Sequence, residues 1–392
     1  MSTLEYIDRR GTDCEKWDEQ TPSFGEEGLH AMWVADMDFK VPACVQKALH
    51  EYVDMGAFGY MSIRDNYYQA FINWEKNHHG LEVKKDWIRF SPGVIAAFNW
   101  IIQFMTKKKD AVIVMTPVYY PFFRAVENND RTLVTSELIN DHGIYTIDFE
   151  DFEQKIVDNQ AKLFIMCSPH NPVGRVWTAE ELDKIIAICK KHHVFIIADE
   201  IHHDLLAEGV HHVPTLGRNE YWDNIIMVTA PSKTFNLAGG QNSLVVIPDE
   251  GLRKKWDIYT NGIRVLFGNA FGYVACEAAY EGGEEWYQDV KKQIWSNYEY
   301  LKHTFAEKLP GAVVSPLEGT YLCWIDLRAC IDPEKTKELI QKRCRLAVDF
   351  GEWFGGDQFK GFIRMNLATS LKNVQIAVEA ICKNVCCQLR ST

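Results

Sequence analysis

Between residues 111 and 247 the chain alternates short, dense apolar runs with segments of helical periodicity, and that alternation leaves few folds open. Residues 111–115, 133–135, 163–166, 194–198, 225–228 and 244–247 have the length and β-branched content of buried strands. Residues 149–157, 179–192 and 252–259 repeat apolar positions at helical spacing between several of them. Strands that are apolar without alternation are covered on both faces, so the expected fold is α/β: a mostly parallel sheet sandwiched by helices.

Sheets of this kind bind ligands at the carboxyl ends of their strands, and here those ends are polar. The run after 163–167, Ser168-Pro-His-Asn-Pro-Val-Gly174, holds Asn171 between two prolines. Asp199 closes the next strand and opens Asp199-Glu-Ile-His-His-Asp204. After 225–229 comes a polar run with Lys233 between Ser232 and Thr234, left through Gly239 and Gly240. A strand ending in Pro117 brings Tyr119 or Tyr120 to the same edge. An acid, an amide and a lysine at neighbouring strand ends can meet around one ligand. A lysine becomes a nucleophile where apolar or cationic surroundings lower its pKa, and its commonest use is then a Schiff base. The turn Pro92-Gly93 runs into an apolar helix and leaves the amides of Gly93, Val94 and Ile95 free, as a phosphate site needs.

The rest of the chain limits the partners. A formal net charge of −12 with no dense basic stripe argues against nucleic acid. No apolar run reaches membrane-spanning length, and charges occupy the first residues where an export signal needs an apolar stretch, so a cytoplasmic protein is expected. The 11 cysteines are an odd count without metal-type spacing and read as reduced thiols, including Cys382, Cys386 and Cys387 in a helical tail. His202, His203, His211 and His212 fall in one short span, but their spacing lacks a cysteine partner or a pattern of outer supporting residues, and no metal is expected.

Residues 1–30 read as an irregular polar arm. The segment Met32-Trp-Val-Ala-Asp-Met-Asp-Phe39 is densely apolar and carries Asp36 and Asp38, which are either buried with partners near a site or caps of the helix that starts near Pro42. Helical patterns follow at 42–56 and 65–79, with Tyr60 in a glycine-marked loop between them. A long helix over 284–309 leads to strands at 320–327 and 361–365 and helices near 333–344 and 372–385. Length allows a large unit and a smaller one: residues 46–284 as the large, ligand-binding domain, 285–392 as the C-terminal small domain, and 1–45 as an arm that joins the small domain.

The motifs NPVG (171–174), ADE (198–200), SKTFN (232–236) and FIRMNLA (362–368), in that order, resemble the pyridoxal-phosphate (PLP) enzymes of the aspartate aminotransferase fold. More narrowly, MWVADMDF (32–39), ADEIHHD (198–204) and SKTFNLAG (232–239) are similar to the cystathionine β-lyase, or cysteine-conjugate C–S lyase, branch. The resemblance implies Lys233 as the covalent lysine and proton shuttle, Asp199 as partner of the pyridinium nitrogen, and Tyr119 stacked on the ring as the third catalytic residue. It places Asn171 and His202 beside the ring, and Val94, Ile95 and Ser232 on the phosphate. Tyr60 would reach the phosphate of a second subunit, which makes the protein a homodimer with shared active sites. Arg364 would grip the substrate α-carboxylate, with Ala35 and Asn171 beside it; the alternative is a structural arginine paired to a local acid.

Three positions depart from many aminotransferases. His202 replaces a tyrosine, Gln241 a phosphate-binding arginine and Ala230 a serine, so Thr229 or Ser232 must compensate at the phosphate. The first two departures match the lyase branch. The implied reaction is α,β-elimination on L-cystathionine or a related cysteine S-conjugate, giving a thiol, pyruvate and ammonia. An aminotransferase of class I/II is the alternative, since the same lysine serves both routes, and a transcription-factor-binding regulator on the same fold is a further one.

Overall fold

The computed structural model of the chain describes residues 4–218 and 223–389. Met1, Ser2 and Thr3 of the charged start and the side chains of Cys386 and Cys387 lie outside the described residues. Seven strands form the main sheet: β1 (Ile88–Ser91), β2 (Ala111–Thr116), β3 (Thr132–Glu137), β4 (Leu163–Cys167), β5 (Phe195–Asp199), β6 (Ile225–Thr229) and β7 (Ser243–Val246). Their spatial order is β1-β7-β6-β5-β4-β2-β3. The block from β6 to β3 is parallel, and β7 runs antiparallel to both β6 and β1. β2, β4, β5 and β6 are buried at every residue, which is why they read as unbroken apolar runs. Along β4, Leu163, Ile165 and Cys167 pack into one core and Phe164 and Met166 into the other, the two-residue period of a strand covered on both faces. β1 escaped the sequence reading because Arg89 and Ser91 interrupt its short edge run.

Helices α1 (Ala43–Asp54), α2 (Asp65–His79), α3 (Val94–Met105), α4 (Ala179–Lys191), α5 (Ala270–Gly282), α6 (Glu284–Lys308) and α7 (Leu371–Leu389) cover the sheets. α4 opens on a capping box in which Thr178 accepts from the Glu181 amide and Glu181 from the Thr178 amide. None of the helices among the described residues is long and apolar enough to cross a membrane. None of the nine described cysteines is in a disulfide.

A second, antiparallel sheet is built from β8 (Val313–Val314), β9 (Leu322–Asp326), β10 (Asp349–Phe350) and β11 (Phe362–Asn366) in the order β8-β9-β11-β10. Arg364 on β11 lies opposite both Trp324 and Asp349. Residues 4–30 are more ordered than their composition suggests, with single helical turns at Glu15–Asp18 and Thr21–Phe24. They are held by the acids of the following segment. Asp38 is buried and accepts from Lys16 Nζ at 2.9 Å and Trp17 Nε1 at 3.0 Å, and Asp36 pairs with Arg9 at 2.6 Å. The N-cap of α1 is Pro42, with no side-chain cap, so the capping alternative for the two acids falls.

One close approach fixes the loop that leaves the Lys233 run. A Cβ added to Gly272 on α5 would stand 2.4 Å from the Gly240 carbonyl oxygen. Gly272→Ala gains helix propensity but forces that backbone apart, so a net loss of about 1–3 kcal/mol is expected in urea unfolding of the purified protein. An unchanged midpoint would show that α5 slides freely against the loop.

Candidate active site

Each functional side chain is set by where its strand stops. β6 ends at Thr229, and the turn Pro231–Thr234 then carries Lys233 back over the sheet edge. β5, the next strand, ends at Asp199, and β4 beyond it runs out into Asn171. β2 ends at Thr116 and delivers Tyr119, whose amide donates to the Asn171 carbonyl at 3.1 Å. These residues line one cavity of about 220 Å³ together with Ala35, His202, Ser232, Val94 and Ile95. Nine of the eleven positions expected from the sequence are thereby brought together.

The other two are not on its wall. Arg364 is buried behind Asn171, where Nη1 donates to Asn171 Oδ1 at 2.9 Å and Nη2 bonds Asp349. The local acid named as the alternative partner therefore exists, and the same guanidinium also reaches the cavity through Asn171. Tyr60 is fully exposed, away from the cavity of its own chain. Tyr120 packs on Trp353 and Phe354, which leaves Tyr119 as the aromatic of the site. Thr229 is turned toward His203 and the Glu200 carbonyl, so of the two hydroxyls considered for the phosphate only Ser232 lies at the cavity.

Lys233 is anchored by an unexpected group. Nζ donates to the Ala35 carbonyl at 2.6 Å, and the Tyr321 hydroxyl donates to the same oxygen at 2.8 Å. The segment that carries Ala35 is itself pinned by Asn366, which donates to the Val34 and Asp36 carbonyls at 2.6 and 2.7 Å, and by Asn236, which bonds both backbone groups of Met37. Asn236 and Asn366 stand inside the SKTFN and FIRMN runs, where their spacing was a usable signal. Tyr321 and Asp349 left none, because only the folded sheet brings them to the site.

Charge in this pocket is dominated by burial. Desolvation lowers Lys233 to about 8, with Arg364 pushing the same way and Asp36 and Asp199 opposing. Burial also lifts Asp199 to about 7, against the Ile201 amide and the Lys233 charge, and Asp349 to about 6, against Arg364. His202 is held well below its ordinary value by burial and by Lys233, so its ring is neutral.

The residues fit PLP on the structure's own evidence. The carboxylate of Asp199, a residue 2% exposed, accepts one hydrogen bond among the described residues, from the Ile201 amide at 3.2 Å, so a cationic ring nitrogen would supply the partner it lacks. The N-cap of α3 is Gly93, with no side-chain cap, and the first-turn amides of Val94 and Ile95 are free for an anion at the cavity wall.

A model of the aminotransferase class I and II family matches residues 34–381. The chain is 37% identical over 378 residues to cystathionine beta-lyase PatB of Bacillus subtilis (strain 168), covering 95% of this chain and 97% of that protein. Cystalysin from Treponema denticola, whose crystal structure contains a pyridoxal 5'-phosphate cofactor, superposes with a TM-score of 0.93 at 35% identity, covering 98% of both chains. The PLP-bound C–S lyase from Staphylococcus hominis gives a TM-score of 0.92 at 34% identity and 97% coverage of both. A family match over nearly the whole chain and relatives aligned end to end agree with the strand-end site, and the protein belongs to the class I and II aminotransferase family.

Proposed function

We propose that the protein is a PLP-dependent C–S β-lyase of the cystathionine β-lyase type, cleaving L-cystathionine or a related cysteine S-conjugate to a thiol, pyruvate and ammonia with one water consumed. The observation that carries this reading is that Lys233 and Asp199, at the ends of adjacent strands, share a cavity with the free amides of α3 in a chain so like named C–S lyases.

When bound, PLP supplies an electron sink for the charge left on the substrate Cα. Lys233 holds the cofactor and then moves the proton: Nζ, lowered to about 8 by burial, is a base near neutral pH and takes the proton from Cα. Asp199 keeps the ring nitrogen protonated, because a cation beside a buried carboxyl brings it back to its charged form. Tyr119 would cover the ring, and Asn171 and neutral His202, on the same cavity wall, would offer it hydrogen bonds. Val94, Ile95 and Ser232 hold the phosphate. Arg364, already oriented by Asp349 and Asn171, takes the α-carboxylate near the Ala35 backbone, and departure of the thiolate from Cβ completes the elimination.

Tyr60 serves the neighbouring subunit in this reading. Its complete exposure, together with the exposed rings of Phe58, Phe267 and Phe271, supports a homodimer with shared sites. The division into 1–45, 46–284 and 285–392 goes with the separate seven-stranded and four-stranded sheets, and a cytoplasmic location with described cysteines that form no disulfide.

The experiment is pyruvate release from L-cystathionine by the purified protein with PLP and no keto acid. Steady release is expected. Product formed only when a keto acid acceptor is added would make the protein an aminotransferase instead. Arg364→Lys tests the carboxylate role: a bidentate fork becomes a point charge, and KM for cystathionine is expected to rise about 100-fold with a much smaller change in kcat. An unchanged KM would leave Arg364 as the structural partner of Asp349 alone.

A further inference from the structure

The run Asp199–Asp204 has two sides. His202 lines the cavity, whereas His203 and Asp204 meet α2, where Glu75 and His79 stand one turn apart on the same helix face. Glu75, His79 and His203 each bring a ligand atom within 4.8 Å of the others, and their side chains are at least 98% buried.

The hydrogen bonds around this group leave its centre unfilled. His203 Nδ1 bonds the Glu200 carbonyl. A carbonyl can only accept, so Nδ1 carries a proton, and the neutral ring turns its Nε2 lone pair toward Glu75. That nitrogen is 3.1 Å from Glu75 Oε1, yet the direction is not that of a hydrogen bond, and Nε2 and both Glu75 oxygens are without a hydrogen-bond partner. His79 Nε2 donates to Asp204 Oδ1 at 2.7 Å, and Nδ1 has no partner. Asp204 is otherwise satisfied by Trp74 Nε1 at 2.8 Å and Thr234 Oγ1 at 2.6 Å. A wholly buried carboxyl aimed at a lone pair is costly unless a positive charge, proton or metal ion, lies between them. A metal ion supplies that charge and takes the proton's place.

We propose that Glu75, His79 and His203 form a buried site for one divalent transition-metal ion of the zinc type, with Asp204 as the carboxylate that orients His79. Two imidazoles and a carboxylate are a donor set zinc accepts, and the Asp204–His79 bond repeats the carboxylate–histidine pairing found behind metal ligands. Ligand atoms about 2.0–2.2 Å from a common ion stand roughly 3.3 Å apart; here the His203–Glu75 pair is at 3.1 Å and all three atoms lie within 4.8 Å of one another. The ion ties α2 to the strand end that carries Asp199, and through Asp204 and Thr234 to the turn that carries Lys233. The sequence could not show this site, because Glu75 and His79 come from a helix more than a hundred residues before His203.

The test measures metal, not turnover, and so does not depend on the lyase reading. Holoenzyme loaded with zinc chloride and desalted is expected to retain about one zinc per chain by elemental analysis, falling to below about 0.1 in Glu75→Gln and in His203→Ser. Cobalt loading of the wild-type protein, which needs no variant to fold, is expected to give visible d–d bands without the near-ultraviolet thiolate band that cysteine ligation produces. Retention below about 0.1 zinc in the loaded wild type overturns the proposal. So does a thiolate band, or zinc that persists in both variants.

Discussion

Lys233→Ala is expected to lower pyruvate release from cystathionine by at least about 10³-fold, since the proposed mechanism loses the covalent anchor of the cofactor and the base at Cα together. The residue cannot be replaced from within the site. Among the described residues the cavity wall holds no other lysine or arginine, and the Arg364 guanidinium behind it is a permanent cation, not a base. The variant should fold, because Nζ contributes one hydrogen bond to Ala35 and its removal relieves a buried amine. Addition of a small primary amine should restore a measurable part of the rate by supplying the missing base. A variant within tenfold of the wild type would show that another group abstracts the proton.

Asp199→Asn should separate activity from stability in opposite directions. With PLP bound, an amide cannot hold the ring nitrogen protonated, and kcat is expected to fall about 10²–10³-fold. Without cofactor the same change removes a burden. The buried Asp199 carboxyl keeps its proton up to about pH 7, while in the unfolded chain it loses it near its ordinary value of 3.8. Because the folded pKa is the higher one, the native state holds an extra proton between these values, and stability falls by about 1.4 kcal/mol per pH unit as pH rises through them. The loss is complete above about 7. The introduced amide does not titrate, so the urea midpoint of the apoprotein variant should gain steadily on the wild type from pH 4 to 7 and then run parallel. The difference cancels Asp349, which titrates in the same direction in both proteins. A gap that is flat with pH would mean that Asp199 is already charged and partnered without cofactor.

Much of the architecture was legible because burial writes itself into composition. β2, β4, β5 and β6 are covered on both faces and could be read as apolar runs to within a residue or two. The direction of β7 was not legible, since Ser243–Val246 is as apolar as its parallel neighbours and an antiparallel partner needs no different side chains. The site followed the same rule. Lys233, Asp199 and Asn171 were readable as polar residues at the ends of apolar strands. Asp349 was not, because its meeting with Arg364 is a register between β10 and β11 that no local pattern announces. The two acids of the Met32–Phe39 segment show the middle case: their need for partners was evident, but Lys16, Trp17 and Arg9 come from an arm whose composition suggests no structure.

The anchor of Lys233 also sets the order in which the enzyme can mature. Ala35 leaves the ribosome long before Asn366, whose amide holds its flanks from 330 and 332 positions later. The strands that position Lys233 and Asp199 can pair while the C-terminal sheet is still being made, but the backbone oxygen that aims the lysine is fixed only when that sheet closes over the N-terminal segment. Nascent chains stalled before residue 366 would therefore carry a formed sheet edge and an unaimed lysine, and competence for chemistry arrives only after that residue has joined the C-terminal sheet.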